Sequence, residues 1–192
     1  MYNNKVSLKR SITRNRISTK TLVLAAIFVA MNVILSRLGS IMLFNGSVRF
    51  SFGNIPLIVS GLILGPVVGA MTGGIADLLG FFINSHGGAF HPGFTLSSIL
   101  TGAIPGVIMF LSPTKKSSLF NVVVANISIL VIVSLLLNTY WLSQLQGAAY
   151  LVLLPARAIT SLIITVLNVL ITYPLVKSLE KTGLIPYKKS IK

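Results

Sequence analysis

The 192-residue sequence contains no cysteine and only two acidic residues, Asp77 and Glu180. The lack of cysteine excludes disulfides, thiolate metal sites and thiol nucleophiles. Charged residues make up 9% of the chain, against roughly 25% in soluble domains. Hydrophobic residues make up 54%. This composition predicts an all-α membrane protein with no separate soluble domain.

Two functional motifs are also missing. The sequence has no GxxxxGK[ST] phosphate-binding loop, so the chain does not draw on ATP by that route. It has no obvious pair of nucleophile and base either, because Ser85 and His86 are neighbours only in sequence. A small membrane enzyme acting on lipid or prenyl substrates is therefore a minor alternative, and we expect no cofactor.

The chain has sixteen lysines and arginines and a net charge of +14, which by itself suggests a nucleic-acid binder. Thirteen of the sixteen lie in three clusters, at 5–20, 115–116 and 177–192, outside the apolar segments. Cytoplasmic loops of membrane proteins carry such cations. We therefore expect the lipid bilayer, and no nucleic acid, as a partner.

The apolar segments predict six transmembrane helices at about 20 residues for each crossing. Gly65-Pro66 predicts a tight turn between the second and third, since proline suits a first helical position. Six crossings place all three basic clusters inside, whereas a five-helix alternative puts one tail outside. The predicted domain 21–180 lies between basic cytoplasmic tails at 1–20 and 181–192. The predicted spans are 21–38, 52–64, 66–83, 94–111, 119–137 and 150–179, with external connections at 39–51, 84–93 and 138–149.

Asp77 is the only acid within a predicted span, and a charge at a helix centre costs about 2.5–3.5 kcal/mol on insertion scales. One interpretation pairs it with Arg157, at a similar depth in the sixth helix. The other makes both residues, with Arg49 of the first external loop, contacts of a polar ligand, because arginines bind carboxylates in forked geometry. The residues alone leave both interpretations open.

The segment 85–95 predicts a shaped external loop that enters the fourth helix, with Thr95 near the start of that helix. Phe90 and Phe94 could form aromatic walls for a flat ligand, with packing within the loop as the alternative. His86 is a candidate ligand contact. A metal site on His86 and His91 is disfavoured, because no Cys, Asp or Glu accompanies them.

Two further positions carry open alternatives. Asn138, at the outer end of the fifth helix, could form hydrogen bonds with the edge of a heterocyclic ligand. Tyr140 and Trp141 are favoured as anchors at the membrane–water interface. Ala26 and Ala30 share one face of the first helix and allow close approach of another helix, from this chain or from a partner.

Several segments together resemble the substrate-binding S components of energy-coupling factor (ECF) transporters, most closely the folate-specific members. The resemblance covers roughly residues 20 to 180, and Pro92-Gly93-Phe94-Thr95-Leu96 is its most specific piece. The other matching segments are Asn54-Ile55-Pro56, Leu64-Gly65-Pro66-Val67-Val68-Gly69, Ala76-Asp77-Leu78-Leu79-Gly80, Asn138-Thr139-Tyr140-Trp141-Leu142 and Leu154-Pro155-Ala156-Arg157.

The resemblance implies a multi-pass protein of the bacterial cell membrane, a six-helix bundle with cytoplasmic termini that captures a vitamin outside. It also implies a complex with a transmembrane coupling subunit and two ATPase subunits, and reorientation of the whole S component in the membrane. In that family an Ala-x-x-x-Ala motif on the first helix docks the coupling subunit, and Ala26 and Ala30 match it.

Folate also suits the candidate residues. Its glutamate tail offers two carboxylates to Arg49 and Arg157, and its pterin edge suits Asp77 or Asn138. Its benzoate ring could lie against Phe90, Phe94 or Tyr150. Another vitamin, such as riboflavin, is the alternative; thiamine fits less well, because arginines favour an anionic ligand.

Overall fold

The computed structural model describes residues 18–38, 41–43, 48–85, 90–112 and 118–182. Most of both predicted basic tails lies outside these ranges. The described residues form six helices and one short β-hairpin. The helices are α1 (Thr19–Val33, continued by a π-helical turn at Ile34–Leu38), α2 (Asn54–Leu64), α3 (Pro66–Ile83), α4 (Pro92–Leu111), α5 (Leu119–Gln146) and α6 (Tyr150–Lys181), and the antiparallel strands are β1 (Ile41–Leu43) and β2 (Val48–Phe50).

The surface of the bundle is apolar, as in a membrane protein. All of the helices except α2 are long and apolar enough to cross a membrane. Phe82 and Leu151 are 83% and 75% exposed, which water would penalise and lipid tails would not. The 11-residue α2 is buried on all sides, with Ile58 and Val59 fully enclosed, so it forms the centre of the bundle. The chain is an integral membrane protein with a helical fold.

The predicted break between the second and third helices is confirmed. Gly65 has a φ of 91°, a conformation that favours glycine, and α3 begins at the next residue, Pro66.

The predicted connection at 138–149 is wrong for most of its length, because α5 continues to Gln146 and ends at Gly147, a left-handed C-cap with a φ of 65°. The segment of Leu and Gln residues before that glycine has good helix propensity, which explains the extension. The first external connection contains the β-hairpin, which the sequence analysis did not predict.

Close packing of α3 against α4 sets the position of the two helix ends that form the candidate site. A Cβ on Gly69 would overlap the carbonyl oxygen of Gly102, and a Cβ on Gly102 would overlap the carbonyl oxygen of Gly69. The two backbones therefore touch directly, as small residues allow in membrane helices.

The winding of α5 changes twice along its length. Ile129–Asn138 is a π-helix of ten residues between the α-helical segments Leu119–Ser128 and Thr139–Gln146. π-Helices are rare and mostly a single turn long, and such turns are frequent at functional sites. This one leads directly to the end of the helix at which the candidate residues lie.

Candidate functional site

Helices α1, α3 and α5 end, and helices α2, α4 and α6 begin, at the same end of the bundle. We call this end the loop end. Hydrogen bonds link the elements there. Arg37 Nη1 at the end of α1 donates to the carbonyl oxygen of Asn84 after α3 at 3.1 Å, and the Tyr150 hydroxyl at the start of α6 donates to the carbonyl oxygen of Leu135 in α5 at 3.0 Å. The described residues among the candidate ligand contacts all lie at or near this end.

Asp77 joins three helices at the loop end. Its Oδ1 lies 3.4 Å from Arg37 Nη2, and its Oδ2 accepts a hydrogen bond from Thr95 Oγ1 at 2.8 Å. The interpretation that Asp77 pairs with Arg157 is wrong, because among the described residues its ion-pair partner is Arg37. Arg37 can lie across α3 because Gly80 has no side chain; a Cβ there would come within 2.7 Å of Arg37 Nε.

These contacts occupy both carboxylate oxygens of Asp77 and favour a structural role for it. A ligand contact by Asp77 or Thr95 stays a prediction.

Arg157 has no acidic partner among the described residues, which include both acids of the sequence. Asp77 pairs with Arg37, and Glu180, the other acid, lies 23 residues further along α6, or about 35 Å at 1.5 Å per residue. Arg157 is half-buried, and its Nε donates to Thr139 Oγ1 at 3.1 Å. The site therefore holds a positive charge that the protein does not neutralise with a carboxylate.

Aromatic rings line the start of α4. Trp141 packs over Gly93, where a Cβ would overlap the indole ring, and its ring centroid lies 5.3 Å from that of His91. His91 also caps α4, since its Nδ1 accepts from the backbone N–H of Gly93 at 3.1 Å, and its ring lies 5.7 Å from the ring of Phe94. Phe90 packs edge-on against Phe81 of α3 at 5.1 Å and is 46% exposed. The rings suit contact with a flat molecule.

Three buried polar atoms of α4 and α5 have no hydrogen-bond partner in the described part of the chain: Ser97 Oγ, Asn138 Oδ1 and Trp141 Nε1. Ser97 lies one turn beyond Gly93 on the same face of α4, and Asn138 lies three residues before Trp141 on α5. Because Trp141 packs over Gly93, the two faces meet. Buried polar atoms normally have partners, so three orphans together need an explanation such as a ligand.

Two of the predicted ligand contacts are described incompletely or not at all. Arg49 pairs with Met42 in the β-hairpin, and its side chain lies outside the described part of the structure. His86 lies outside the described residues altogether. No group of three or more His, Cys, Asp or Glu side chains that could hold a metal ion occurs among the described residues.

Several residues of the site were not predicted from the sequence. Arg37 offered a signal, as the only cation within the first predicted span, but Ser97 and Thr139 did not, because Ser and Thr are common in membrane helices. The interpretation of Trp141 as an interface anchor does not account for its packing on Gly93 and His91.

A second feature lies between α1 and α3. Ala26 and Ala30 are exposed and line an apolar groove of about 580 Å³. The other residues that line it are apolar except for Thr72, and include Leu22, Met71, Ile75 and Leu79.

The apolar bundle, with its arginine, aromatic rings and orphan polar atoms gathered at one end, defines a membrane-embedded binding protein. The family model of the ECF-type riboflavin transporter S component matches residues 16–181. The chain therefore belongs to the family of ECF transporter S components, which are substrate-binding subunits of transporters and not enzymes. This confirms the family that the sequence motifs indicated.

Two curated relatives carry the name folate transporter FolT. The protein of Clostridium novyi (strain NT) is 33% identical over 156 residues, covering 81% of this chain and 87% of the relative. That of Leuconostoc mesenteroides subsp. mesenteroides is 30% identical over 165 residues, covering 82% and 85%.

Solved structures of S components are also similar to this chain. FolT bound with folic acid is similar with a TM-score of 0.73 and 28% identity, covering 84% of this chain and 95% of the other. The S component for biotin from an ECF-type transporter has a TM-score of 0.64 at 21% identity, covering 92% and 95%, and shows the shared fold.

Proposed function

We propose that this chain is a folate-binding S component that captures folate outside a bacterial cell for uptake by an ECF transporter. The observation that carries the proposal is the charge of Arg157, which no acid of the chain neutralises. A ligand with carboxylates would neutralise it in forked geometry. Folate carries two in its glutamate tail, whereas riboflavin carries none. The two FolT relatives and the solved complex of FolT with folic acid support the same ligand.

The orphan polar atoms suit the other end of folate. A pterin presents an amino group and a ring N–H as donors beside a carbonyl oxygen as acceptor. Asn138 Oδ1 would accept from such a donor, and Trp141 Nε1 and Ser97 Oγ would donate to an acceptor. The aromatic rings of His91, Phe94 and Trp141 would then contact the flat ring system. Tyr150 and Phe90 remain candidates for the benzoate ring.

The test is equilibrium binding of folate to the purified chain in detergent without ATP, with riboflavin and thiamine as competitors. We expect saturable folate binding that neither competitor displaces. Saturable riboflavin binding with no folate binding would overturn the proposal in favour of the alternative that the name of the family model suggests.

The role of Arg157 is tested with the dimethyl ester of folate, which keeps the tail but removes its two charges. We expect wild type to bind folate at least about tenfold more tightly than the ester, and Arg157→Ala to lose most of this preference. Lys177→Ala, at the opposite end of α6, is the matched control and keeps the preference. Equal affinity of wild type for the two ligands would contradict the role of Arg157.

We further propose six crossings with both termini inside. The short α2 would then cross at a central position, enclosed by the other helices, which its burial on all sides supports. Because the chain has no cysteine, single cysteines report their own side of the membrane. Ser85→Cys in intact cells should react with an impermeant maleimide, whereas Ser117→Cys and Ser190→Cys should react only after the cells are opened. Labelling of Ser190→Cys in intact cells would exclude this topology.

Lastly, we propose that the groove with Ala26 and Ala30 receives the coupling subunit, which works with two ATPase subunits. Support comes from the exposure of both alanines and the apolar lining. Ala26→Trp should abolish co-purification of the coupling subunit and folate uptake but leave folate binding unchanged. Leu170→Trp, at an exposed position on α6, is the control and should retain all three. Normal uptake by Ala26→Trp, or by wild type without the partner subunits, would contradict the proposal.

A further inference from the structure

We propose that Thr139 positions Arg157 for carboxylate binding and thereby sets the preference of the site for an anionic ligand. The inference deepens the proposed function and rests on the role of Arg157 in it. Thr139 itself is fully buried, does not carry a charge and is a positioning residue rather than a ligand contact.

The hydrogen bonds of Thr139 have only one possible direction. Arginine nitrogens donate and never accept, so Thr139 Oγ1 must accept the hydrogen bond from Arg157 Nε at 3.1 Å. Its own single hydrogen is then donated to the carbonyl oxygen of Ser134, also at 3.1 Å. The hydrogen bonds from Arg157 through Thr139 to Ser134 direct the Nε edge of the guanidinium toward α5.

The winding of α5 makes these hydrogen bonds possible. Four other helical threonines, Thr72, Thr101, Thr160 and Thr165, donate to the carbonyl oxygen four residues earlier at 2.7–2.8 Å. Thr139 donates to the carbonyl oxygen five residues earlier, at the point where the π-helical segment ends. The wider turn therefore redirects the hydroxyl, and its lone pairs meet Arg157.

The contact also decides which part of the guanidinium remains for a ligand. A carboxylate can bind arginine either side-on, through Nε and one Nη, or end-on, through the two Nη groups. Because Thr139 occupies Nε, the end-on fork is the one that remains. A singly charged, planar carboxylate fits this fork, and an ester does not gain the charge-assisted bonds.

The experiment compares folate with its dimethyl ester in the purified chain. Thr139→Val should weaken folate binding by about tenfold and change ester binding by less than about twofold. Thr139→Ser, which keeps the hydroxyl, should restore the preference for folate. Thr165→Val is the control: Thr165 donates to the carbonyl oxygen of Ser161 within α6 and lies eight residues beyond Arg157, so both affinities should stay at wild type.

A double-mutant cycle separates positioning from general packing. In an Arg157→Ala background, Thr139→Val should cause no further loss of folate affinity, since the residue acts through the arginine. Equal loss for both ligands, an additive loss in the cycle, or unchanged folate affinity in Thr139→Val would each overturn the inference. If Thr139→Val does not fold, Thr139→Ala is tested in the same comparison.

The failure of the inference and that of the proposed function are distinguishable in wild type. A wild-type chain that does not bind folate refutes the proposed function. A wild-type chain that prefers folate to its ester, together with a Thr139→Val variant that keeps this preference, refutes only the role of Thr139.

Discussion

Arg37 and Asp77, forty residues apart in sequence, form an ion pair of 3.4 Å at the loop end. Their side chains are 11% and 16% exposed, so the pair is largely shielded from solvent. Thr95 donates a hydrogen bond to the second oxygen of the same carboxylate, and Arg37 also donates one to the carbonyl oxygen of Asn84. One carboxylate therefore ties the end of α1 and the start of α4 to α3.

Asp77→Asn should destabilise the purified chain. The amide oxygen can still accept from Thr95, but Arg37 keeps a largely buried charge without a counterion, which costs about 3 kcal/mol. We expect a lower thermal unfolding midpoint, measured by size-exclusion chromatography after heating. Lys177→Gln, which removes an exposed charge at the opposite end of α6, is the control and should unfold like wild type. Arg37→Gln added to Asp77→Asn should recover part of the loss; an unchanged midpoint in Asp77→Asn would refute the role of the pair.

The fluorescence of Trp141 should report ligand binding directly. Trp141 is the only tryptophan of the chain, and its indole N–H is buried without a partner among the described residues. A ligand that accepts from this N–H should change both intensity and emission wavelength. The measurement is a folate titration corrected for absorption with free N-acetyltryptophanamide. Saturable binding by calorimetry without any change in emission would place the ligand away from Trp141.

Gly93→Ala should lower the affinity for the ligand more than it lowers the stability of the protein. A Cβ at this position would overlap the indole of Trp141 and displace the ring. We expect folate affinity to fall at least about tenfold, since overpacking costs about 1–3 kcal/mol and the ring lies in the site. Gly74→Ala in α3 is the matched control, because its Cβ would meet only the flexible side chain of Ile99, at 3.1 Å. Equal affinities in the two variants would argue against contact of Trp141 with the ligand.

Gly102→Ala should disrupt the packing of α3 against α4. Its Cβ would overlap the backbone carbonyl of Gly69, which cannot rotate away as a side chain can. We expect poor recovery of folded protein from membranes. Gly147→Ala provides the comparison, since there the added Cβ meets nothing within 4 Å and only the left-handed φ of 65° is strained. That strain costs about 1–2 kcal/mol, a smaller loss. A Gly102→Ala protein as stable as wild type would contradict the backbone contact.

Much of the architecture follows from apolar length and turn residues. The break at Gly65-Pro66 is predicted directly from these two residues, because few other residue pairs combine a tight turn with the first position of a helix. The end of α5 was missed because Asn138-Thr139-Tyr140-Trp141 is polar enough for a loop, while its Gly147 cap lies nine residues later. Local composition therefore identifies the membrane helices better than it identifies their extensions beyond the apolar segment.

The candidate site was less predictable than the fold. The position of Arg157 near the loop end was anticipated, but its contact with Thr139 depends on how two helices face each other. The pairing of Asp77 with Arg37 rather than Arg157 does not follow from depth in the membrane, since all three residues lie near the same end. The choice depends on Gly80, which opens a path for Arg37 across α3.

The π-helical segment of α5 changes which side of the helix each later residue faces. Its turns hold more residues than the 3.6 of an α-helix, so ten residues of it rotate everything that follows about the helix axis. A helical wheel drawn from Leu119 with one constant angle therefore goes out of phase before Trp141 and assigns that residue to the wrong side. Inward and outward faces of α5 must be counted separately on each side of the segment.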